Sequence, residues 1–302
     1  MEIVVFGAGS LGSLIGGLLA REHDVTLVAR EAHVCAVRES GLRLEGAIDG
    51  GPSRIFPAAT TDGTGPEADL VVVTVKSFDT RSAAETLATG SVDAILSLQN
   101  GMGNEATLAA RLEVPVLAGT ATYGAILQEP GVVECTGRGE VVLGARAGGP
   151  SPLADRIGEA FVAAGLEATV AKDMPRRLWE KLAVNAGINP VTALTGTENG
   201  AVLEEPATDL ARTATRETAR VARACDVSLS NREALAAMVD VAEATAANTS
   251  SMRQDVLAER YTEIDAINGY VVDRAGEAGL EAPTNRLLTS LIRTWERGRG
   301  LR

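Results

Sequence analysis

Lysine is scarce in this chain. Of 28 basic residues in 302, only Lys76, Lys172 and Lys181 are lysines, so each one raises a question about its role. Cysteine and histidine are scarce too. Cys35, Cys135 and Cys225 lie far apart without metal-ligand spacing, and His23 and His33 cannot build a zinc site by themselves. No metal is expected, and neither histidine sits in a recognisable nucleophile context. An odd, sparse set of thiols in a chain this long fits reduced cysteines and a cytosolic setting. No apolar run approaches the ~20 residues that span a bilayer. The opening MEIVVFGAGS has neither a basic leader nor a cleavage-type end. The expectation is a cytoplasmic protein without a membrane segment. Positive charge is in deficit as well, with a net charge of −12, which argues against non-specific nucleic-acid binding. Acidity with arginine in place of lysine suits a GC-rich coding sequence or a high-salt setting.

What is present is ordinary for a soluble globular protein of two domains: 45 % hydrophobic and 23 % charged residues give enough apolar material for two cores. The first half alternates strands and helices. EIVVFGAG reads as a strand entering a glycine turn, SLGSLIGGLLAREH as a helix and DVTLVAR as a second strand. ADLVVVTVKS, VDAILSLQNG and VPVLAGTATYGA follow as further strands, the first of them nearly all β-branched, as a strand covered on both faces should be. This rhythm predicts an α/β, Rossmann-type doubly wound sheet. PGVVECTGRGEVVLG, residues 130–144, breaks it. Two short β-rich runs flank Thr-Gly-Arg-Gly, which predicts a hairpin extending the sheet in antiparallel fashion. After about residue 172, Ala-, Arg- and Glu-rich segments at helical spacing take over. The expected domains are 1–172, dinucleotide-binding, and 173–302, all-α.

Gly7-Ala8-Gly9-Ser10-Leu11-Gly12 matches G-x-G-x-x-G between a strand and a helix. Its glycines allow a tight turn and close approach of a pyrophosphate, and the helix end offers amides and a positive dipole. The second strand ends in Ala29-Arg30-Glu31. Arg30 suits the 2′-phosphate of NADP, so NADPH/NADP is the expected cofactor, with NADH as the alternative. Lys76 follows VVVTV, and Asn100 follows AILSLQ. Both stand where loops leave the carboxyl ends of strands, the edge at which such sheets bind ligands. Asn100-Gly101 is also a common turn dipeptide.

In the helical half, Lys181, Asn185 and Asn189 are spaced four apart and share one face of an otherwise apolar helix. Buried polar groups require partners, and a ligand is one. Pro190 cannot donate to the carbonyl of Ala186, which predicts a break near this face. Asn248, Ser251 and Asp255 are expected to share a second helical face, with Glu263 about two turns later.

With these motifs the chain resembles the ketopantoate reductases (2-dehydropantoate 2-reductases) over essentially its whole length. The resemblance rests on GAGSLG at 7–12, VVVTVKSF at 71–78, SLQNGMG at 97–103, WEKLAVNAGINPVTALTGTENG at 179–200, NTSSMRQD at 248–255 and TEIDAINGY at 262–270. It implies an N-terminal Rossmann domain, a C-terminal helical domain and a site in the cleft between them. It implies that Lys181 is the general acid and that Glu263 holds the substrate's hydroxyl end. Asn185, Asn189, Asn199, Asn248 and Ser251 match substrate-binding positions, Asn100 and Lys76 match residues beside nicotinamide and substrate, and Arg30 matches the arginine associated with NADPH. Tyr123 departs from the pattern, since some relatives have histidine there.

The expected reaction is hydride delivery from NADPH to the ketone carbon of 2-dehydropantoate, giving pantoate for pantothenate and coenzyme A biosynthesis. An ammonium would stabilise the growing charge on oxygen and donate the proton. The alternatives are a reductase of another small 2-keto or 3-hydroxy acid and a non-catalytic NADP(H) sensor, which would need no proton donor. Monomer and homodimer both fit the resemblance.

Overall fold

The computed structural model describes residues 1–302. Met1–Gln99 with Asn104–Met174 makes one compact unit, and Asn100–Gly103 with Pro175–Arg302 makes a second.

In the first unit β1 (Glu2–Phe6) leads into α1 (Ser10–Leu19), and β2 (Asp24–Val28) into α2 (Glu31–Ser40). Next come β3 (Leu42–Gly46), β4 (Ser53–Ile55), β5 (Ala58–Thr60), β6 (Glu67–Ala68), β7 (Leu70–Val73) and α3 (Thr80–Leu87). They are followed by β8 (Ser91–Val92), β9 (Ile95–Ser97), α4 (Asn104–Ala109), β10 (Val116–Ala121), β11 (Gly124–Glu129) and β12 (Val132–Gly137). β13 (Val141–Ala145), α5 (Pro152–Ala163) and β14 (Ala168–Val170) complete the unit. Eight strands form one sheet in the order β14-β13-β10-β9-β7-β1-β2-β5. Neighbours run parallel throughout, except that β10 and β13 are antiparallel. This is the doubly wound, Rossmann-type sheet that the alternation predicts, and its order reverses at β1. Leu70, Val71, Val72 and Val73 are all fully buried. Each such side chain contributes about 1.5–3 kcal/mol by leaving water.

The expected hairpin at 130–144 is not formed. β12 pairs antiparallel with β11 and parallel with β3, in a separate sheet ordered β11-β12-β3-β4. β13 instead joins the main sheet, antiparallel to β10. The turn is therefore Pro130-Gly131, with Gly131 at φ +83°, and not Thr-Gly-Arg-Gly. Gly139 passes so close to Thr122 and Tyr123 that a Cβ there would lie 2.4 Å from their backbone, so the second glycine serves a crossing between sheets. Antiparallel extension of the main sheet does occur, through β13 alone.

The second unit is helical: α6 (Met174–Thr195), α7 (Ala207–Ala224), α8 (Asn231–Ala244), α9 (Ser251–Leu257), α10 (Tyr270–Glu277) and α11 (Pro283–Gly298). A 3-10 turn covers Asn199–Leu203 and a π-helical turn covers Asp265–Gly269. Trp179, Leu182, Ala183 and Ala186 of α6 share a buried cluster with Val221, Ala222 and Ile264, among others. α6 and α7 approach closely because Gly187 lacks a Cβ, which would stand 2.4 Å from Thr215 Oγ1. No helix is long and apolar enough to cross a membrane.

Two expectations need correction here. Pro190 does not end α6, which runs on to Thr195. The Ala186 carbonyl, which Pro190 cannot serve, accepts a hydrogen bond from Asn268 Nδ2 at 3.0 Å. A side chain thus fills the vacancy and the helix continues. Asn248 does not share a helical face with Ser251 and Asp255. α9 starts at Ser251, and Ser250 is its cap, accepting from the Arg253 amide at 3.2 Å. A serine at this point competes for the backbone and starts a helix there, which leaves Asn248 in the preceding turn.

Candidate active site

The glycine turn leaves β1 at the carboxyl edge of the parallel sheet, where the strand order reverses. Each glycine is required for a different reason. Gly7 has φ +105°, and a Cβ on it would strike Val75 at 2.6 Å. Gly12 would meet Thr74 Oγ1 at 2.5 Å and the Gly7 carbonyl at 2.6 Å, so it sets the contact of α1 with the strand ends. Gly9 is exposed, and the nearest atom to a Cβ there would be 3.9 Å away. Open space at the middle glycine is what close approach of a pyrophosphate needs. α1 also starts without a side-chain cap and without an acid in its first turn. Helices α5, α8 and α9 each have a serine cap. The uncapped amides and dipole end of α1 suit a phosphate. On both counts the residues fit a dinucleotide.

Hydrogen bonds fix this turn. The Gly7 and Ala8 amides both donate to the Val28 carbonyl, at 3.1 and 2.9 Å. Thr74 Oγ1 donates to the Gly7 carbonyl at 3.0 Å. Ser10 Oγ accepts from the Leu127 amide at 3.1 Å. Arg30 stands two residues past β2 as the cap residue of α2, exposed. Lys76, half-buried, lies three residues past β7. The first unit therefore brings Gly7–Gly12, Arg30 and Lys76 to one edge of the sheet.

A buried polar knot braces that edge. Gln99 Nε2 donates to the Val75 carbonyl at 3.0 Å and to Thr80 Oγ1 at 2.8 Å. Thr80 Oγ1 donates in turn to Asn104 Oδ1 at 2.9 Å. The residues before Lys76 and before Asn100 are thereby joined. Sequence reasoning gave Gln99 no role, although it sits inside SLQNGMG. Tyr123 lies elsewhere in the unit, where its hydroxyl accepts from the Glu167 amide at 2.9 Å and ties the chain ahead of β14. Burial pushes this phenol's pKa up.

In the second unit α6 carries Lys181 and Asn185, both half-buried, and Asn189, 6 % exposed. The intervening residues 182–184 and 186–188 are all buried. Glu263 is buried in the segment before the π-turn. Its carbonyl accepts from the Ala266 and Ile267 amides at 3.1 and 3.2 Å. Asn268 in that turn donates to Ala186 of α6 and, at 2.9 Å, to Asn285 Oδ1. Asn285 Nδ2 donates at 2.8 Å to Glu217, whose carboxylate also accepts the Thr284 and Asn285 amides at the start of α11. This buried chain of side chains ties the Lys181 helix to the Glu263 segment.

The Asn100–Gly103 turn belongs to this unit as well. The Met102 amide donates to the Ala266 carbonyl at 3.0 Å, and a Cβ on Gly101 would lie 2.6 Å from Ala266. Gly101 has φ +78°, so the Asn-Gly pair is a turn shaped to sit on the segment that follows Glu263. Asn199 and Asn248 also meet: the Asn199 amide donates to the Asn248 carbonyl at 3.0 Å. Asn199 Nδ2 donates to Thr245 Oγ1 at 3.0 Å, while Asn199 Oδ1 is buried without a protein partner. Next to them, Ser250 Oγ lies 2.7 Å from Thr192 Oγ1 of α6. The resemblance did not single out Asn268, Asn285 and Glu217. A signal existed only for Asn268, which lies in TEIDAINGY and answers the vacancy left by Pro190.

Comparison with known proteins follows the same division. Residues 3–148 match the family described as Ketopantoate reductase PanE/ApbA, and residues 173–296 match Ketopantoate reductase PanE/ApbA C terminal. A 2-dehydropantoate 2-reductase of Halobacterium salinarum is 43 % identical over 303 residues, covering 98 % of this chain and 99 % of the relative. A solved PanE/ApbA family ketopantoate reductase from Ralstonia eutropha superposes with a TM-score of 0.90 at 34 % identity, covering 99 % of this chain and 100 % of that one. A ternary structure of D-mandelate dehydrogenase with NADH and anilino(oxo)acetate gives a TM-score of 0.92 at 23 % identity over 100 % of both chains, a likeness of fold alone.

Proposed function

The chain belongs to the ketopantoate reductase family, and from that premise we propose that it reduces 2-dehydropantoate to pantoate with NADPH, with Lys181 as the proton donor. It is an oxidoreductase with a nicotinamide cofactor, which when bound supplies the hydride. The observation that carries the reading is the Lys181–Asn185–Asn189 row, a cation and two amides on a helix whose intervening residues are buried.

The reaction needs three things from the protein. The ketone oxygen gains negative charge as its carbon is reduced, and Lys181 stabilises that charge and then donates a proton to the oxygen. A carboxylate could not offer positive charge, and a guanidinium would hold its proton too tightly. The substrate must be oriented. Glu263, Asn185, Asn189, Asn199, Asn248 and Ser251, with Asn100, supply acceptors and neutral donors for its hydroxyl and carboxylate. The unpartnered Asn199 Oδ1 supports this, being an acceptor with no protein donor. A site that pairs a substrate hydroxyl rejects analogues lacking it, because its own polar groups are then left unpaired. Finally the cofactor must be held, and Gly7, Ala8, Gly9, Ser10, Leu11 and Gly12 receive the pyrophosphate. Arg30, exposed two residues past β2, would select the 2′-phosphate, and Lys76 would serve the nicotinamide end.

The direct test is oxidation of NADPH in the presence of 2-dehydropantoate, measured beside NADH and beside a panel of other 2-keto acids. Turnover with 2-dehydropantoate and NADPH well above every other pairing is the expected result. Preference for a different keto acid would move the chain to another small hydroxy-acid reduction. Tight NADPH binding with no turnover of any keto acid would make it a sensor.

A further inference from the structure

His33 is one of only two histidines, and the reaction as proposed uses neither. It lies on α2 three residues past Arg30 and is 4 % exposed. Its own amide donates to the Arg30 carbonyl at 3.0 Å. The ring is satisfied on both sides. The Gly131 amide lies 3.0 Å from Nδ1, and Ser13 Oγ lies 3.1 Å from Nε2. An amide only donates, so Nδ1 is the acceptor and the neutral ring carries its proton on Nε2. Nε2–H then donates to Ser13 Oγ. Ser13 keeps its own proton for the Ala8 carbonyl, 3.1 Å away. The result is a relay with one direction, from His33 through Ser13 to the second residue of the glycine turn. An imidazolium would put Nδ1–H against the Gly131 N–H and break that bond, while Nε2–H could still donate to Ser13. Burial, and after it the charge of Arg30, both lower the ring's pKa and so keep it neutral.

The same hairpin fastens the turn twice. Gly131 stands between β11 and β12, at φ +83°, where a Cβ would lie 3.0 Å from Ala36 of α2. Leu127 of β11 donates its amide to Ser10 Oγ within the turn. The His33 ring meets the glycine-turn helix at Ser13 and the hairpin at Gly131, and the His33 backbone amide meets the Arg30 carbonyl.

We propose that His33 is a positioning residue for the dinucleotide: it holds the Ala8 carbonyl through Ser13, and so the turn that receives the pyrophosphate, while the Gly131 amide fixes the ring tautomer that makes Nε2 the donor. The inference rests on the reading of Gly7–Gly12 as the cofactor turn. Cutting the His33–Ser13 bond therefore weakens cofactor binding and leaves the proton-transfer step alone.

Two substitutions separate the halves of the relay. Asparagine places an amide oxygen near the position of Nδ1, and glutamine places an amide nitrogen near that of Nε2. His33→Asn therefore keeps the Gly131 bond and loses Ser13, whereas His33→Gln keeps Ser13. Kd for NADPH is read by fluorescence titration, alongside kcat, KM for 2-dehydropantoate and Tm. His33→Asn and Ser13→Ala are each expected to raise Kd about 10-fold, the scale of one buried hydrogen bond, with His33→Gln within about 2-fold of the unsubstituted protein. The double variant His33→Asn/Ser13→Ala should be no weaker than either single one, and kcat at saturating NADPH should hold. Equal losses of affinity in the Asn and Gln variants, tracking Tm, would mean that His33 only packs and would overturn the proposal. Unchanged Kd in all variants would overturn it too. Failure of the unsubstituted protein to bind NADPH at all would show instead that the reading of the turn is wrong, and the inference falls with it.

Discussion

In the first unit the turn at the cofactor edge is placed mainly by backbone. Gly7 is at φ +105°, Gly12 is pressed against the Gly7 carbonyl, and the Gly7 and Ala8 amides share the Val28 carbonyl. In the second unit the polar segments are placed by buried side chains. Glu217, Glu296, Asn268 and Asn285 are 7 %, 0 %, 0 % and 0 % exposed; the two glutamates take up amides at the start of α11 and before the π-turn, and the two asparagines serve carbonyls inside α6 and α7. A phosphate needs amides and room, which a bent backbone supplies. A hydroxy acid needs directed donors, acceptors and a proton source, which only side chains supply. The two ways of holding a site should fail differently when cut.

The largest effect belongs to the chemistry itself. Lys181→Ala should lower kcat by ~10²- to 10⁴-fold, the scale of losing a general acid, with Kd for NADPH unchanged. Steady-state kinetics beside NADPH titration checks both halves. If turnover is unaffected, Lys181 has no part in the reaction, and if NADPH binding falls in step, the separation of cofactor and proton functions between the units fails.

Next in size is the brace on the Glu263 segment. Glu296 accepts the Thr262 amide and hydroxyl at 3.0 and 2.7 Å through one oxygen, and Arg302 at 3.0 Å through the other. Glu296→Ala leaves the buried Thr262 amide and hydroxyl without their acceptor and should cost about 1–3 kcal/mol, the penalty for unpaired buried polar groups. Trp179 and Trp295, the only two tryptophans, both lie in the second unit, so their fluorescence in urea follows that unit. A loss under about 1 kcal/mol would put Glu296 in the class of exposed ion pairs, and the contrast drawn between the units would lose its strongest member.

A smaller effect is expected at Arg30, the exposed side chain proposed to select the cofactor. Arg30→Ala should weaken NADPH by ~10- to 100-fold, as for a hydrogen bond between charged groups, and change NADH by less than about 2-fold. Equal losses with both cofactors would show that Arg30 shapes the turn and does not meet the 2′-phosphate.

The difference between the units also explains what the sequence made legible. Strands, glycines and strand-end residues are local signals, so the Rossmann-type sheet and the positions of Gly7–Gly12, Arg30 and Lys76 follow from spacing. Gly131 and Gly139 misled because both punctuate equally well in sequence. Only their partners, Ala36 for one and the Thr122–Tyr123 backbone for the other, decide which bend is a hairpin and which a crossing. In the helical unit the face of Lys181, Asn185 and Asn189 was legible from periodicity. Its supports were not: Asn268 reaches Ala186 across 82 positions and Glu217 reaches Asn285 across 68. Such pairings leave no trace in local composition. Reading Asn248 onto α9 failed for a related reason, since Ser250 and Ser251 are equally good caps and periodicity alone does not choose the start.

The finest test lies at Pro190. A helix interior normally supplies the amide of residue 190 to the carbonyl of residue 186, and here Asn268 supplies its side-chain amide instead. Asn268→Ala leaves the Ala186 carbonyl buried and unpaired and should cost about 1–3 kcal/mol. Pro190→Ala restores a backbone donor to the same carbonyl, so in that background the loss of Asn268 should matter less. The coupling expected in a double-mutant cycle is of order 1 kcal/mol. Additivity within about 0.3 kcal/mol would mean that Asn268 is held by Asn285 and packing alone, and that the proline vacancy is incidental. Coupling of the expected sign would show something more specific. The proline that looked like a break works instead as a socket, through which the turn after Glu263 is fastened one residue from Asn185.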